Sequence, residues 1–296
     1  MRVPSRWWPF FALVATGCAV PDATTSPPST DIWLVELGDP GGPASAPVNL
    51  TNREGYDNQP AFLPDGSGFL YASSDGEQVD IWRWGFAAGS GRAVTRTPES
   101  EYSPQPIPDD DGFSVVRVES NDEDDQRLWR FDANGTSPRL LIEREYSVEY
   151  YRWVDPGLIA LRVQGDPNKL KFADPEIGAA ERDPAARAVG RTLATVPGAN
   201  VLTFVHKVST GQWWVRNLDL STREAMDVTE VPPGCEDFAW TPDRTLLIAD
   251  GATILRFIPG EGWGELADFS AAEIGRISRL AVAPDGRRLL FVAQRD

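Results

Sequence analysis

Histidine, cysteine and lysine are nearly missing from this 296-residue sequence, and each shortage removes a class of chemistry. The single histidine, His206, rules out any site built on two, including the H-E-x-x-H zinc proteases. The two cysteines, Cys18 and Cys235, cannot make a disulfide framework. Lysine stands only at Lys169, Lys171 and Lys207, so arginine carries nearly all the positive charge. Asp and Glu number 44 against 28 Lys and Arg, a net charge of -16. That balance offers no basic face to a phosphate backbone and argues against nucleic acid as a partner. No G-x-S-x-G occurs, so the hydrolase nucleophile elbow is absent. No apolar run reaches the roughly 20 residues of a membrane-spanning helix.

Other residues are plentiful. Hydrophobic residues make up 41% of the chain, with 11 Trp and 13 Phe, enough for a sizeable core. The 26 glycines and 25 prolines imply many turns between short elements, the signature of an all-β protein.

The first thirty residues read as a targeting segment. Arg2 and Arg6 precede a short apolar run from Trp7 to Ala15, followed by Ala15-Thr16-Gly17-Cys18. A basic start, a short apolar middle and small residues before a cut match a secretory signal. The last four residues resemble the lipobox of bacterial lipoproteins, with Cys18 as the lipidated residue. Residues 19–30, rich in Pro, Ser and Thr, read as a tether to a folded body from 31 to 296. This predicts attachment to the membrane through the lipid anchor alone. Ala19 after the cysteine points to the outer membrane, facing the periplasm.

Repeats organise the body. Tyr56-Asp57-Asn58-Gln59-Pro60 runs into Pro64-Asp65-Gly66, and Tyr102-Ser103-Pro104-Gln105-Pro106 runs into Gly112, with Tyr, Gln, Pro and Gly recurring at an offset of 46. Weaker copies stand at Tyr151 to Gly157, Phe238 to Asp243 and Leu280 to Gly286. In Pro-Asp-Gly, proline presets φ for a turn and glycine takes a positive φ. Apolar strands follow, such as Phe69 to Ala72 and Leu289 to Val292. Third strands carry an aromatic anchor, as in Asp80-Ile81-Trp82. Several units close on an aliphatic residue and Thr: Leu50-Thr51, Val94-Thr95, Val228-Thr229. Four strands in about 40–45 residues make one propeller blade.

Five complete units are predicted to begin near Tyr56, Tyr102, Glu149, Leu193 and Glu236. The unit near Leu193 lacks the Pro-Asp-Gly turn, and its strands are predicted from Val201 onward. A further unit is split. Arg279 to Gln294 supplies two inner strands, and Asp31 to Leu37 with Val48 to Thr51 supplies two outer ones. Joining them would close a six-bladed β-propeller, with N- and C-terminal strands sharing the closing blade.

The P-x-[FW]-x-P-D-G unit followed by D-I-W resembles the repeats of TolB-like propellers, over about Asp31 to Asp296. That resemblance implies a fold and leaves function open. It points first to a protein or peptide binding or scaffold module at the cell envelope. One alternative is a calcium-dependent hydrolase or lactonase-like enzyme acting at the channel mouth. The other is a glycan-binding accessory lipoprotein, which predicts exposed Trp there.

Candidate ligand-binding residues are those entering the inner strands: Tyr56, Asp57, Glu101, Tyr102, Glu149, Tyr150, Asn200, Glu236, Asp237 and Arg276. A calcium site would need Glu101, Glu149, Asn200 and Glu236 to converge. The plainer reading is that each caps its own turn. His206 sits in a predicted strand, Cys235 in a loop, Asn121 to Asp125 in an acidic hairpin, and Gly260 to Gly264 in a glycine-rich hairpin. None carries a catalytic motif, and no cofactor is implied beyond the calcium of the alternative reading.

Overall fold

The computed structural model describes residues 28–38, 45–76, 78–119, 126–272 and 274–294. The signal segment with Cys18, most of the tether and the acidic run Asn121 to Asp125 lie outside the described residues. Among the described residues, every regular element except a 3-10 turn at Ser270–Ala272 is a β-strand.

The repeating unit is an antiparallel meander. Tyr56–Phe62, Gly68–Ser74, Asp80–Gly85 and Ser90–Ala93 pair in that order. Ser100–Pro106, Phe113–Val118, Gln126–Phe131 and Arg139–Leu140 repeat the pattern. The third meander starts at Val148–Asp155, and two short segments, Ala179–Ala180 and Ala186–Arg187, share its outer side. The fourth runs from Val189–Thr195 to Ala225–Val231, and the fifth from Phe238–Trp240 to Gly262–Asp268.

The chain ends meet. Ile277–Val282 pairs with Arg288–Gln294, which pairs antiparallel with Thr30–Glu36 from Thr30–Gln294 to Glu36–Arg288. Val48–Asn49 covers the outer side of Thr30–Glu36. One parallel bridge, Thr30 to Tyr56, fuses this set with the meander from Tyr56 into a single eight-stranded sheet. First strands touch in cyclic order, from Tyr56–Phe62 through each successive meander to Ile277–Val282 and back to Tyr56–Phe62. The result is a ring around an axis.

Composition explains the layering. A second strand has sheet neighbours on both sides and packed meanders on both faces, so it reads as a continuous apolar run. Gly68–Ser74 is buried at every position, as are Leu289 to Ala293. Each meander places one fully buried phenylalanine between sheets: Phe69, Phe131, Phe172, Phe204, Phe238 and Phe291. The seam of the two termini is sealed by Trp33 stacked on Phe291, ring centroids 6.4 Å apart. The predicted Pro-Asp-Gly turns form: Gly66 at φ 67 and Gly286 at φ 73 each donate an N–H to the carbonyl three residues back.

Two sequence expectations are corrected. The offset of 46 matches letters, but equivalent positions lie 44 apart: Phe62 pairs with Phe69 as Pro106 pairs with Phe113. Gly112 therefore matches Gly68, and an added Cβ at either would run into a third-strand carbonyl. Asp57 falls opposite Glu101 in the repeat, and Gln59 (φ 54) opposite Ser103 (φ 52) at a shared bulge. The fourth meander also starts earlier than expected. Its first strand is Val189–Thr195, and Val201 begins the second. Its turn is built on Val196-Pro197-Gly198, with Gly198 at φ 64, in place of Pro-Asp-Gly.

Candidate functional site

On the ring axis lies a cavity of about 630 Å³, within the size range of small-molecule and peptide-segment pockets. Its rim is proline: Pro64, Pro108, Pro197, Pro242 and Pro284, each just past the end of an inner strand. Its charged lining is Arg152, Arg191 and Arg279. Among the described residues, no Asp, Glu, His, Cys or Lys lines it. In a chain of net charge -16, the axial cavity is positive.

Arg279 reaches the axis because of a backbone irregularity. The register of Ile277–Val282 slips between Ser278 and Ala281, and Arg279 there has φ 56. A bulge of this kind re-aims a side chain. Arg279 crosses the ring to Tyr150, donating to its hydroxyl at 2.9 Å, with its guanidinium carbon 4.9 Å from the ring centroid. Asp237, 3% exposed, lies between Arg279 (3.7 Å) and Arg191, whose Nε donates to Oδ1 at 2.9 Å. Burial pushes the Asp237 carboxyl up, but the two guanidiniums outweigh it and hold it below its ordinary value. Burial also opposes the Arg191 charge, and Asp237 with Glu236 more than reverses that. Tyr56 closes the same layer, its ring 6.4 Å from Tyr102, and burial drives its phenol well above the usual range.

The remaining sequence candidates do not line this cavity. Of the ten, Tyr150 alone does. Asp57 is fully buried and bound by Arg53 at 2.7 Å. Glu101, also fully buried, accepts from Thr95 at 2.9 Å and from Thr97. Burial raises its carboxyl to about 7. The Thr95 hydroxyl in turn accepts the Ile81 N–H at 2.8 Å, as the Thr51 hydroxyl accepts the Ile32 N–H at 3.0 Å. The recurring Thr thus latches a third strand in two units, at Thr51 and Thr95, and Glu101 completes one such latch, whereas Thr229 donates to the Glu230 carbonyl. Glu149 is ion-paired with Arg162. Glu236 accepts the Arg191 backbone N–H at 3.0 Å and meets Lys207 at 2.9 Å. Asn200 is corrected outright. It sits in the turn after Val189–Thr195, at the opposite end of the strand, and bonds Ser221 at 2.7 Å. Arg276 is exposed and donates to the Gly234 carbonyl at 3.0 Å.

The calcium ligand set named from the sequence does not assemble. Glu101, Glu149, Asn200 and Glu236 do not converge, and each of the three carboxylates already has partners within the chain. Among the described residues, no group of three His, Cys, Asp or Glu side chains is placed to hold a metal.

The other reactive candidates are also enclosed. Cys235 is 4% exposed, and burial pushes its thiol up to about 12, so it stays protonated. His206 is in the second strand of the fourth meander, and burial with the nearby Arg216 holds it below its ordinary value. Trp153 and Trp240 both lie along the cavity wall, but their indoles are tied to the preceding meander. Trp153 donates to Ser114 at 2.8 Å and Trp240 to Thr203 at 3.0 Å. Sequence reasoning missed Arg152, Arg191 and Arg279. Alternation along Tyr150-Tyr151-Arg152-Trp153 was the available signal for Arg152, since Tyr150 and Arg152 must share a face.

No protein-family model and no curated protein matches this sequence. Solved structures do match. A putative TolB from Agrobacterium tumefaciens aligns with TM-score 0.72 at 14% identity, over 91% of this chain and 99% of that one. TolB from Acinetobacter baumannii aligns with TM-score 0.59 at 13% identity, over 90% of this chain and 64% of that one. An oligogalacturonate lyase in complex with manganese aligns with TM-score 0.56 at 15% identity, over 84% of this chain and 80% of that one. At these identities the likeness concerns architecture, and with the ring of meanders it shows that this chain has a TolB-like β-propeller fold.

Proposed function

We propose that this chain is a lipid-anchored protein of the bacterial cell envelope whose six-bladed propeller binds a protein or peptide segment through its axial cavity. Counting the terminal meander separately from the one it is bridged to gives the six blades. The anchor would be Cys18, held by a tether at the outer membrane facing the periplasm. The observation that carries a binding role, and not a catalytic one, is the cavity lining. General acid–base catalysis most often uses histidine, a carboxylate or lysine within reach of substrate. The lining offers arginine, tyrosine, amides, hydroxyls and apolar side chains, with no carboxylate, imidazole, thiol or amine among the described residues.

Two experiments test this reading. Metabolic labelling with a radiolabelled fatty acid is expected to mark the wild type and not Cys18→Ala; equal labelling of both overturns the anchor. A photo-crosslinking amino acid placed at Pro242 or Pro284 on the rim is expected to trap a peptide-containing partner in cells. The same residue at exposed Val48, on the outer strand, is expected to trap none. Crosslinks from Val48 alone would move the binding face off the axis.

A further inference from the structure

The cavity's three arginines are not equivalent. Arg191 and Arg279 share Asp237, and Arg279 also holds Tyr150. Arg152 has no such company: among the described residues, no carboxylate or hydrogen-bond acceptor is within bonding distance of its guanidinium. It is open to water in the cavity, yet so much protein surrounds it that desolvation draws its pKa below the ordinary arginine value. A guanidinium that lines a cavity with no counter-charge beside it is left available to a ligand. Every buried carboxylate at the leading ends of the inner strands has been given partners, so the unpaired Arg152 stands apart.

The surroundings of Arg152 describe what would pair with it. Along an extended strand, alternate residues point the same way about 7 Å apart. Tyr150, and with it the Arg279 guanidinium, therefore sits one step from Arg152 on the same face. Toward the rim the wall is Leu193, Pro108, Pro197 and Pro242, suited to aliphatic stem and backbone. Sugar rings are recognised by stacking on free aromatic faces. The two indoles here are packed between meanders and hydrogen-bonded there, which leaves the cavity better matched to a peptide. A guanidinium in such a place binds a carboxylate in a two-pronged fashion. The acidic exterior does not forbid this, since its field is screened over about 8 Å at physiological salt.

We propose that the axial cavity selects an acidic peptide segment, and that Arg152 is the residue that reads its carboxylate. This rests on the peptide-binding reading above and gives that ligand a charge.

The test is calorimetric titration of the full-length chain with two synthetic hexapeptides, one alternating Ala and Glu, the other alternating Ala and Gln. The acidic peptide is expected to bind at least tenfold tighter. Arg152→Met, which keeps the aliphatic stem, is expected to lose that preference, and Arg152→Lys to keep part of it. The melting temperature of Arg152→Met is expected to be unchanged or higher, which separates a ligand-reading role from a structural one. If wild type binds both peptides equally, or Arg152→Met binds the acidic one undiminished, the acid selectivity is overturned and the binding reading stands. If neither peptide binds, the peptide-binding reading falls and this inference with it. If oligogalacturonate or inorganic phosphate binds through Arg152 while the peptides do not, the cavity is an anion site for another ligand, and the peptide proposal is overturned.

Discussion

The inner strands carry carboxylates at their leading ends and arginines nearer the cavity, and the two layers are treated differently. Asp57, Glu101, Glu149 and Glu236 each face a cation or a hydroxyl from a neighbouring strand or loop. In the cavity, Arg191 and Arg279 share one carboxylate and Arg152 has none. The first layer uses charge to fix strands and loops, within a meander at Glu149–Arg162 and between meanders at Glu236–Lys207. The second leaves charge over, on the axis, where a ligand could meet it. A charge left without a partner in the fold, facing a cavity, is a mark of a binding site, so the contrast bears on function.

The largest expected effect lies outside both layers and calibrates them. Phe291 is fully buried against Trp33 and Phe269 at the seam of the termini. Phe291→Ala is expected to cost about 3–5 kcal/mol, read as a lower urea midpoint. A small cost would mean that the seam does not hold the ring. Next comes the carboxylate that joins the layers. Asp237→Ala strands Arg191 and Arg279 without their shared counter-charge and is expected to cost about 3 kcal/mol, measured the same way. If that change proves harmless, the distinction between satisfied and unsatisfied charge collapses.

A pH experiment sharpens the comparison. Glu101 is raised by burial from 4.5 to about 7 in the folded chain. The folded state therefore holds the proton more tightly than the unfolded one, and this group's contribution to stability falls as pH rises from about 4.5 through about 7. Glu101→Gln is expected to melt a few degrees higher than wild type at pH 8 and equally at pH 4.5. A variant that melts lower at pH 8 would show that the carboxylate form is the one the latch requires.

The smallest effects concern Arg152 and Cys235. Arg152→Met is expected to change stability by less than about 0.5 kcal/mol in the unfavourable direction, or to raise it. A clear loss would assign Arg152 to the fold. Cys235, with its thiol pushed up to about 12, is expected to resist iodoacetamide until denaturant is added. Rapid alkylation in the native state would place it in an open site.

Much of the architecture was legible in the linear order of residues. Pro64-Asp65-Gly66 and Pro284-Asp285-Gly286 announced turns, because only certain residues accept those backbone angles. Asp80-Ile81-Trp82 announced a third strand. Half-units at both ends announced closure, and Trp33 does pair with Phe291. Register was less legible. Tyr56 and Tyr102 share a letter but not a position, because hydrogen-bond pairing, and not identity, sets equivalence. Val189–Thr195 escaped notice because its turn uses Val196-Pro197-Gly198. The site was read least well. Of the acidic ring expected at the channel mouth, Asp57, Glu149 and Glu236 are taken up by Arg53, Arg162 and Lys207, and Asp237 by the cavity's own Arg191 and Arg279.

Local chemistry was therefore set by sequence alone: where the chain turns, which strands are apolar on both faces, and that its two ends are incomplete without each other. Those properties depend on neighbouring residues and on the strand period. The sign of the axial cavity was decided only by tertiary structure. Tyr150 and Arg279 lie far apart in the chain and meet across the ring. Whether a carboxylate faces water, a ligand or an arginine depends on which distant strand closes beside it, and long-range packing alone fixes that neighbour.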